Sequence, residues 1–302
     1  MENNYIYGIK CWDKFPDVTV SIETITPQVA IAMLENNINN RKAKRYNHVQ
    51  RAIKNGEFVL NGATIVFSKD GKLLDGQHRL IACVTEQTPI TTLVVRGIDD
   101  NAQTSMDQGI KRTVGDFLKM RGVKDSSLVG TIALSLMTKD AIGLEDSIRY
   151  GNSNHYYNPT ALEIVSFAEN NYEKRIKPIK QKTAQIGRYY KGLTPRLMCK
   201  LFEELRAVDI ESFEHFYGML IGKYQPTKTM MLLQNRLRSN GQTTNGRLPD
   251  IIVAALIIKT WNAYIEGREL GTLRFKVGGA APDEFPSISY GYNNDGFKVV
   301  VA

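Results

Sequence analysis

The sequence predicts an α+β protein, with a small mixed sheet in an N-terminal domain and a mostly α-helical C-terminal domain. Short β-branched runs alternate with helical patterns over residues 17–122, whereas apolar residues recur at helical spacing beyond Gly122. The 302 residues also suffice for two domains of roughly 100–200 residues each. We therefore expect domains at 1–122 and 123–302, the second ending in an extended tail.

Turn and cap residues bound the elements of the first domain. Thr26-Pro27 combines an N-cap with a proline at the first helical position. Asp70-Gly71 predicts a hairpin turn, and Thr113 and Asp116 have the spacing of a capping box. The predicted strands are 17–25, 63–67, 72–74 and 91–96, and the predicted helices are 27–40, 41–54, 77–85 and 113–122.

Helical patterns separated by Gly, Pro and Asn fill the second domain. The pattern that starts at Pro249 and Asp250 is the most apolar, and we expect it to form the core. The tail from Leu270 is rich in Gly and Pro and should be extended, and 151–159 should be an exposed loop. The predicted helices are 126–140, 160–185, 195–206, 211–222, 227–239 and 250–266.

Composition excludes several classes of protein. The three cysteines form no C-x-x-C pair, which argues against a disulfide scaffold or a zinc ribbon and favours a reducing compartment. The longest apolar run, Ile251–Ile258, is far shorter than the roughly 20 residues that span a bilayer. Met1–Lys10 has no signal-peptide pattern. We expect a cytoplasmic protein without membrane contact.

Positive charge is concentrated in two windows of a chain whose net charge is +8. Arg41–Lys54 contains no acid, and as a helix it would show a cationic stripe beside an apolar one. Tyr172–Lys200 contains one acid, Glu173, among many cations. Both windows predict contact with a polyanion such as DNA, the alternative being a solvated basic face. The candidate DNA-binding residues are Arg41, Lys44, Arg45, His48 and Arg51 in the first window and Lys180, Lys182, Arg188 and Lys191 in the second.

The motif that indicates chemistry is Asp75-Gly-Gln-His-Arg79, where a predicted strand meets a predicted helix. Backbone N–H groups and the positive end of the helix dipole converge at such a junction, which favours an anion. We expect Gly76, Gln77, His78 and Arg79 to contact phosphate oxygens, Arg79 through a forked pair of hydrogen bonds.

Two side chains of the same motif are candidates for catalysis. His78 would transfer a proton, and Asp75 would hold a hydroxyl or a Mg²⁺ that arrives with a nucleotide, since no dedicated metal site is apparent. The alternative is a tight structural turn in which Arg79 pairs with a nearby acid and His78 is satisfied locally.

The hairpin, the Asp75–Arg79 turn and the following helix resemble the ParB/sulfiredoxin superfamily over residues 17–122, and more narrowly its phage and mobile-element ParB-like members. Several blocks resemble that narrower group. They are Asn40-Arg41, Gly56–Phe58, Met106–Gly109, Lys111–Thr113, Trp261–Tyr264, Gly267-Arg268, Leu273–Lys276 and Glu284–Pro286.

The resemblance implies a bound nucleotide, ATP or CTP with Mg²⁺, because members of the superfamily bind or hydrolyse these nucleotides, phosphorylate small molecules or reduce sulfinic acid. Gln77 stands where sulfiredoxins have a cysteine, so sulfinic-acid reduction is not expected. A kinase also needs a general base, for which Glu35 and Glu57 are the candidates. Separately, Arg112 and Thr113 would close over the same ligand, since a threonine N-cap beside cations favours an anion, the alternative being a purely structural helix cap.

The leading hypothesis is a nucleotide-binding, DNA-associated phage-type protein, in the host cytoplasm if phage-encoded, that hydrolyses NTP or transfers a phosphoryl group to a DNA or nucleoside hydroxyl. A second hypothesis is a non-catalytic, nucleotide-gated DNA clamp. A metal-dependent nuclease ranks last because the sequence lacks a compact acidic cluster. The sequence leaves the oligomeric state open, a homodimer included.

Overall fold

The computed structural model describes residues 15–35, 47–106, 112–151, 157–240 and 247–290. It is α+β, as predicted, and the chain divides into two compact units. The N-terminal unit comprises Met1–Lys111 and Asn158–Thr160, and the helical unit comprises Arg112–Tyr157 and Ala161–Ala302. The helix predicted at 113–122 therefore belongs to the helical unit, although it precedes the expected division after residue 122.

A four-stranded mixed sheet forms the centre of the N-terminal unit. Its strands are β1 (Thr19–Ile25), β2 (Thr64–Ser68), β3 (Leu73–Asp75) and β4 (Ile90–Ile98), in the spatial order β1-β4-β2-β3. The β1–β4 and β2–β3 pairs are antiparallel and the β2–β4 pair is parallel. The hairpin turn at Asp70-Gly71 is confirmed, since the Ser68 N–H donates to the Lys72 carbonyl at 2.8 Å.

Three helices contribute to the core of the N-terminal unit: α1 (Pro27–Glu35), α2 (Asn47–Lys54) and α3 (Gln77–Thr85). Thr26 caps α1 by accepting from the Val29 N–H at 3.3 Å, and α2 ends at Lys54, two residues before the left-handed Gly56. Alternation along the strands directs Ile25, Ile65 and Val94 into one core with the helices. The sheet thereby fixes the junction between β3 and α3, where the predicted site lies.

The described part of the helical unit contains nine α-helices. They are α4 (Val114–Met120), α5 (Ser126–Ile142), α6 (Leu144–Arg149), α7 (Ala161–Asn171), α8 (Lys177–Tyr189), α9 (Pro195–Val208), α10 (Ile210–Leu220), α11 (Lys228–Arg238) and α12 (Asp250–Ile265). The most apolar helix, α12, lies in the core as expected, with Trp261 fully buried. No described helix combines the length and apolar character needed to cross a bilayer.

In the helical unit one predicted helix is interrupted and one helix was not predicted. The single helix predicted at 160–185 is α7 and α8 joined by a π-helical turn, Tyr172–Ile176. Pro178 lacks an N–H and its ring clashes with the carbonyl four residues before it, so the α-helix widens locally. Helix α6 was not predicted because six residues after the left-handed Gly143 give no periodic signal. Of the predicted loop 151–159, residues 152–156 lie outside the described residues.

Candidate functional site

Gly76 sets the geometry of the junction between β3 and α3. It is the N-cap of α3 with φ 106°, a conformation that side chains with a Cβ rarely adopt. A Cβ at this position would lie 2.8 Å from Ile65 Cγ1 and 3.2 Å from Ile65 Cα. No side chain caps the helix, while the Gly76 carbonyl accepts from the N–H groups of Arg79 and Leu80. The junction therefore requires glycine and leaves the helix N-terminus without a capping side chain.

Arg79 is anchored within the N-terminal unit. Its Nη2 donates to the Thr64 carbonyl at 2.6 Å and to Asp75 Oδ2 at 2.8 Å. Its Nε is buried without a hydrogen-bond partner in the described structure. No hydrogen bond from Nη1 is found in the described structure, and the expected forked pair to phosphate oxygens would have to include Nη2, which is already bonded within the protein. The alternative to a ligand site was a structural turn in which Arg79 pairs with a nearby acid. The ion pair between Arg79 and Asp75 is present in the structure.

The other residues of the predicted turn lie close to Arg79 along the chain. The Asp75 side chain is 28% exposed, Gln77 is buried and His78 is half-buried. Asp75 uses Oδ2 for its ion pair with Arg79. The turn thus places one carboxylate, one guanidinium and one imidazole at the start of a helix. Such a set of groups can bind an anion and place a proton donor beside it.

The two candidate general bases have no hydrogen bond or ion pair to Asp75, Gly76 or Arg79 in the described residues. Glu35 is exposed at the end of α1. Glu57 is half-buried and accepts from the Thr160 hydroxyl through Oε2 at 2.6 Å. That bond ties the segment after α2 to Asn158–Thr160, so Glu57 has a structural contact within the N-terminal unit.

Thr113 forms the predicted capping box at the start of α4. Its hydroxyl accepts from the Asp116 N–H at 3.2 Å and donates to Asp116 Oδ2 at 2.8 Å, and its N–H donates to the same carboxylate oxygen. These bonds hold the pKa of Asp116 below its usual value. The Thr113 groups expected to bind a phosphate are therefore occupied, and Thr113 and the exposed Arg112 belong to the helical unit.

The first cationic window is only partly described. Arg41, Lys44 and Arg45 lie outside the described residues. In α2, His48 is exposed and Arg51 is half-buried, while Ile53 is buried in the core of the N-terminal unit. The amphipathic character expected of this helix is present in its described part.

The second window divides into paired and unpaired cations. Lys180 Nζ lies 2.8 Å from Asp125 Oδ2, and Lys182 Nζ lies 2.8 Å from Glu214 Oε1. Their charges are therefore largely compensated. Arg188 and Lys191 are exposed, and no ion pair to either is found in the described part of the chain.

A cleft of about 750 Å³ lies between α1 and the hairpin end of the sheet, and sequence reasoning did not find it. Arg96 is one of the residues that line it, with its guanidinium 5.6 Å from the Phe67 ring centroid and hydrogen-bonded to both oxygens of Glu23. These bonds lower the pKa of Glu23. No local motif signals the cleft because its walls come from separate segments. The lining residues are Asp17, Val29, Ala32, Met33, Phe67, Ser68, Lys69, Gly71, Arg96 and Gly97.

The described residues contain neither a cluster of metal ligands nor a cysteine suited to act as a nucleophile. No group of three or more His, Cys, Asp or Glu side chains could hold a metal ion there. Cys83 and Cys199 are free and buried, and burial raises the pKa of both thiols. Neither is suited to act as a nucleophile.

Comparison with family models, with curated proteins and with solved structures finds no match to this chain. The resemblance to the ParB/sulfiredoxin superfamily therefore stays a prediction, based on the residues of the Asp75–Arg79 turn and of the blocks named with it.

Proposed function

We propose that the N-terminal unit binds the phosphates of ATP or CTP, with Mg²⁺, at the turn from Asp75 to Arg79. The observation that carries this proposal is Gly76, a left-handed N-cap that excludes any larger residue and leaves the start of α3 without a capping side chain. Such a helix start favours a phosphate through its backbone N–H groups and its dipole.

The charges at the turn fit a nucleotide that brings its own metal. Mg²⁺ in nucleotide sites is held by one or two carboxylates together with the phosphates. Asp75 is the carboxylate that would share it, while Arg79 Nη1 would donate to a phosphate oxygen and His78 would donate to a second or move a proton. Because Nη2 is held by Thr64 and Asp75, the guanidinium is already oriented before a ligand arrives.

The reaction proposed for this site is phosphoryl transfer, within a protein that associates with DNA. The γ-phosphorus would form a bond to the oxygen of water, or of a DNA or nucleoside hydroxyl, as its bond to the β–γ bridging oxygen breaks. The acceptor proton would pass to a base, and the products would be NDP with phosphate or with a phosphorylated acceptor. Positioning and charge compensation supply most of the catalysis in such reactions.

A nucleotide-gated DNA clamp without turnover is the second candidate. It is favoured by one observation: in the described structure neither Glu35 nor Glu57 has a hydrogen bond or an ion pair to Asp75, Gly76 or Arg79, so neither carboxylate predicted as the general base is bonded to the turn. A metal-dependent nuclease stays last, because the described residues contain no cluster of acidic metal ligands.

Nucleotide binding is tested by calorimetry with Mg–ATP and Mg–CTP. We expect Arg79→Ala to weaken binding at least tenfold, about 1.4 kcal/mol or more, since a charge-assisted hydrogen bond is lost. Arg79→Lys should retain part of the affinity because it keeps the charge. Lys72→Ala, which removes a cation paired with Asp100 in the same unit, is the control and should bind as the wild type. Unchanged affinity in Arg79→Ala, with the fold intact by circular dichroism, would contradict the proposal.

Turnover is tested by incubating the protein with radiolabelled ATP or CTP, Mg²⁺ and DNA. Free labelled phosphate indicates hydrolysis, and labelled DNA indicates transfer. Nucleotide binding with a DNA mobility shift but neither product indicates the clamp, and cut DNA without nucleotide dependence indicates a nuclease.

A further inference from the structure

Four cations from three separate segments form what we call the basic cluster of the helical unit. Arg188 and Lys191 lie at the end of α8 and just after it, Arg238 ends α11, and Arg247 precedes α12. We propose that the basic cluster binds the phosphodiester backbone of a nucleic acid. The inference deepens the proposed association with DNA and rests on it, but none of these residues belongs to the N-terminal unit.

Asn240 and Gly192 bring the three segments together. The Asn240 side-chain oxygen accepts from the Leu248 N–H at 2.7 Å, which joins the end of α11 to the segment before α12. A Cβ on Gly192 would lie 3.1 Å from Asn240 Nδ2 and 3.5 Å from Arg247 Cδ, so the loop after α8 packs on both. The Arg238 charge also acts to lower the pKa of the Tyr190 hydroxyl, against the stronger effect of burial. The three segments that carry the cluster are thus adjacent, although they are distant in sequence.

The charge of the cluster is weakly compensated. Arg188, Lys191 and Arg238 are exposed, and the described residues provide no ion pair to them. Arg247 alone has an acidic partner, Asp250. This contrasts with the other cations of the same window, since Lys180 and Lys182 are paired with Asp125 and Glu214. Uncompensated cations attract an extended polyanion, because each phosphate that they neutralise releases a condensed counterion.

A cleft of about 420 Å³ continues the cluster beyond Arg247. Its walls include Arg149 and the start of α12, which has no side-chain cap. Arg149 is paired with Glu145 at 2.7 Å. The cleft therefore extends the cluster by one further arginine, whose charge is largely compensated by Glu145.

Stabilisation of helix ends explains only part of the cluster. A cation in the last turn of a helix contributes about 0.3–1 kcal/mol through the dipole, and Arg188 and Arg238 lie in such turns. Lys191 and Arg247 lie outside helices and gain nothing from this effect. A membrane surface would also attract cations, but an arginine-rich cluster beside the exposed ring of Tyr189 is better suited to phosphates and stacked bases.

The test compares two triple variants of the full chain that lose the same charge. The cluster variant carries Arg188→Gln, Lys191→Gln and Arg238→Gln. The control variant carries Arg121→Gln, Lys177→Gln and Arg268→Gln, three exposed cations of the helical unit that are each paired with an acid. Binding is measured by fluorescence anisotropy to duplex DNA, single-stranded DNA and duplex RNA of about 20 nucleotides, between roughly 50 and 200 mM salt.

The slope of log K against log salt is negative for nucleic-acid binding, and we expect the cluster variant to reduce its magnitude by about 2 to 3 for duplex DNA, since each phosphate contact contributes about 0.9. The control variant should keep the wild-type slope, and both should melt as the wild type does. The probe with the highest affinity shows whether the cluster prefers duplex DNA, single-stranded DNA or duplex RNA. The inference would be overturned if the two variants lost nucleic-acid affinity equally. It would also be overturned if the wild-type protein bound phosphatidylserine vesicles but no nucleic acid.

The failure of this inference is distinguishable from failure of the proposed nucleotide site. The cluster variant should retain its affinity for Mg–ATP or Mg–CTP, and Arg79→Ala should retain the salt slope of the wild type. A protein that binds nucleotide but no nucleic acid would refute this inference and the proposed association with DNA, and it would leave the nucleotide site at the Asp75–Arg79 turn unaffected.

Discussion

At the scale of single residues, Lys200 is a buried lysine of the helical unit whose pKa lies well below its ordinary value. It lies on α9, is 2% exposed, and its Nζ donates to the Ser147 carbonyl at 2.5 Å. Burial lowers its pKa to about 8. No acid is bonded to it in the described structure, so the charged form is tolerated rather than stabilised.

The folded pKa of Lys200 lies below its unfolded value, which fixes the sign of its pH effect. Between pH 8 and about 10.5 the unfolded chain holds a proton that the folded chain has lost, so stability rises with pH in this window. Below pH 8 both states are charged and the destabilisation is constant. We expect wild-type stability to rise by up to about 3 kcal/mol across the window relative to Lys200→Met, measured by urea unfolding. Parallel pH profiles for the two proteins would contradict this expectation.

The Asp75–Arg79 turn shows what single residues reveal in a sequence and what they do not. Gly76 before a helical pattern predicts a turn because only glycine readily adopts φ 106°, and the structure confirms that geometry. The sequence left open whether Arg79 meets a ligand or an acid. The bond to Asp75 follows the i,i+4 spacing and was foreseeable, whereas the bond to the Thr64 carbonyl depends on the pairing of β2 and β3.

At the scale of elements, the tail after α12 is held by side chains of that helix. Asn262 Nδ2 donates to the Ser287 carbonyl at 2.8 Å, and its Oδ1 accepts from the Ser289 N–H at 2.8 Å. Trp261 Nε1 donates to the Ser289 carbonyl at 3.1 Å. The Asn262 amide therefore pairs with one backbone carbonyl and one backbone N–H of the extended tail, as a neighbouring β-strand would.

We expect Asn262→Ala to release this segment of the tail. Two hydrogen bonds to backbone are lost, at about 0.5–1.5 kcal/mol each, so amide protection at Ser289 should fall roughly fivefold to a hundredfold. Hydrogen exchange followed by mass spectrometry measures this change. Asn235→Ala is the control, an exposed position on α11 whose side chain has no hydrogen bond in the described structure. Equal protection of the tail in the two variants would refute the expectation.

Local signals predicted most elements of the fold, and their failures have physical causes. Thr26, the Asp70-Gly71 turn and the Thr113 capping box act within four residues, and all three are confirmed. Pairing between distant segments is not encoded locally. The acids that compensate Lys180 and Lys182 are 55 and 32 residues away, so a cationic window in the sequence did not separate paired from unpaired charge.

At the scale of the whole molecule, each unit has its own apolar core. The core of the N-terminal unit is built on Ile25, Ile65 and Val94, and that of the helical unit, which is far larger, surrounds Phe202 and Trp261. The proposed nucleotide turn belongs to the first unit and the basic cluster to the second. The composition indicated a polyanion partner, but it could not assign the net charge of +8 to particular surfaces.

Two cores predict two unfolding transitions, the N-terminal unit melting first because it buries less apolar surface. The chain contains two tryptophans, so in a Trp12→Phe background Trp261 fluorescence follows the helical unit alone, while far-UV circular dichroism follows both units.

Mg–ATP or Mg–CTP at about 100 times its Kd should stabilise the unit that binds it by about 2.7 kcal/mol, which raises the first midpoint by roughly 10 °C or more. Duplex DNA should raise the second midpoint, since the basic cluster lies in the helical unit. A single transition, or a nucleotide shift of the tryptophan-detected midpoint without a shift of the first, would contradict this division of binding between the two units.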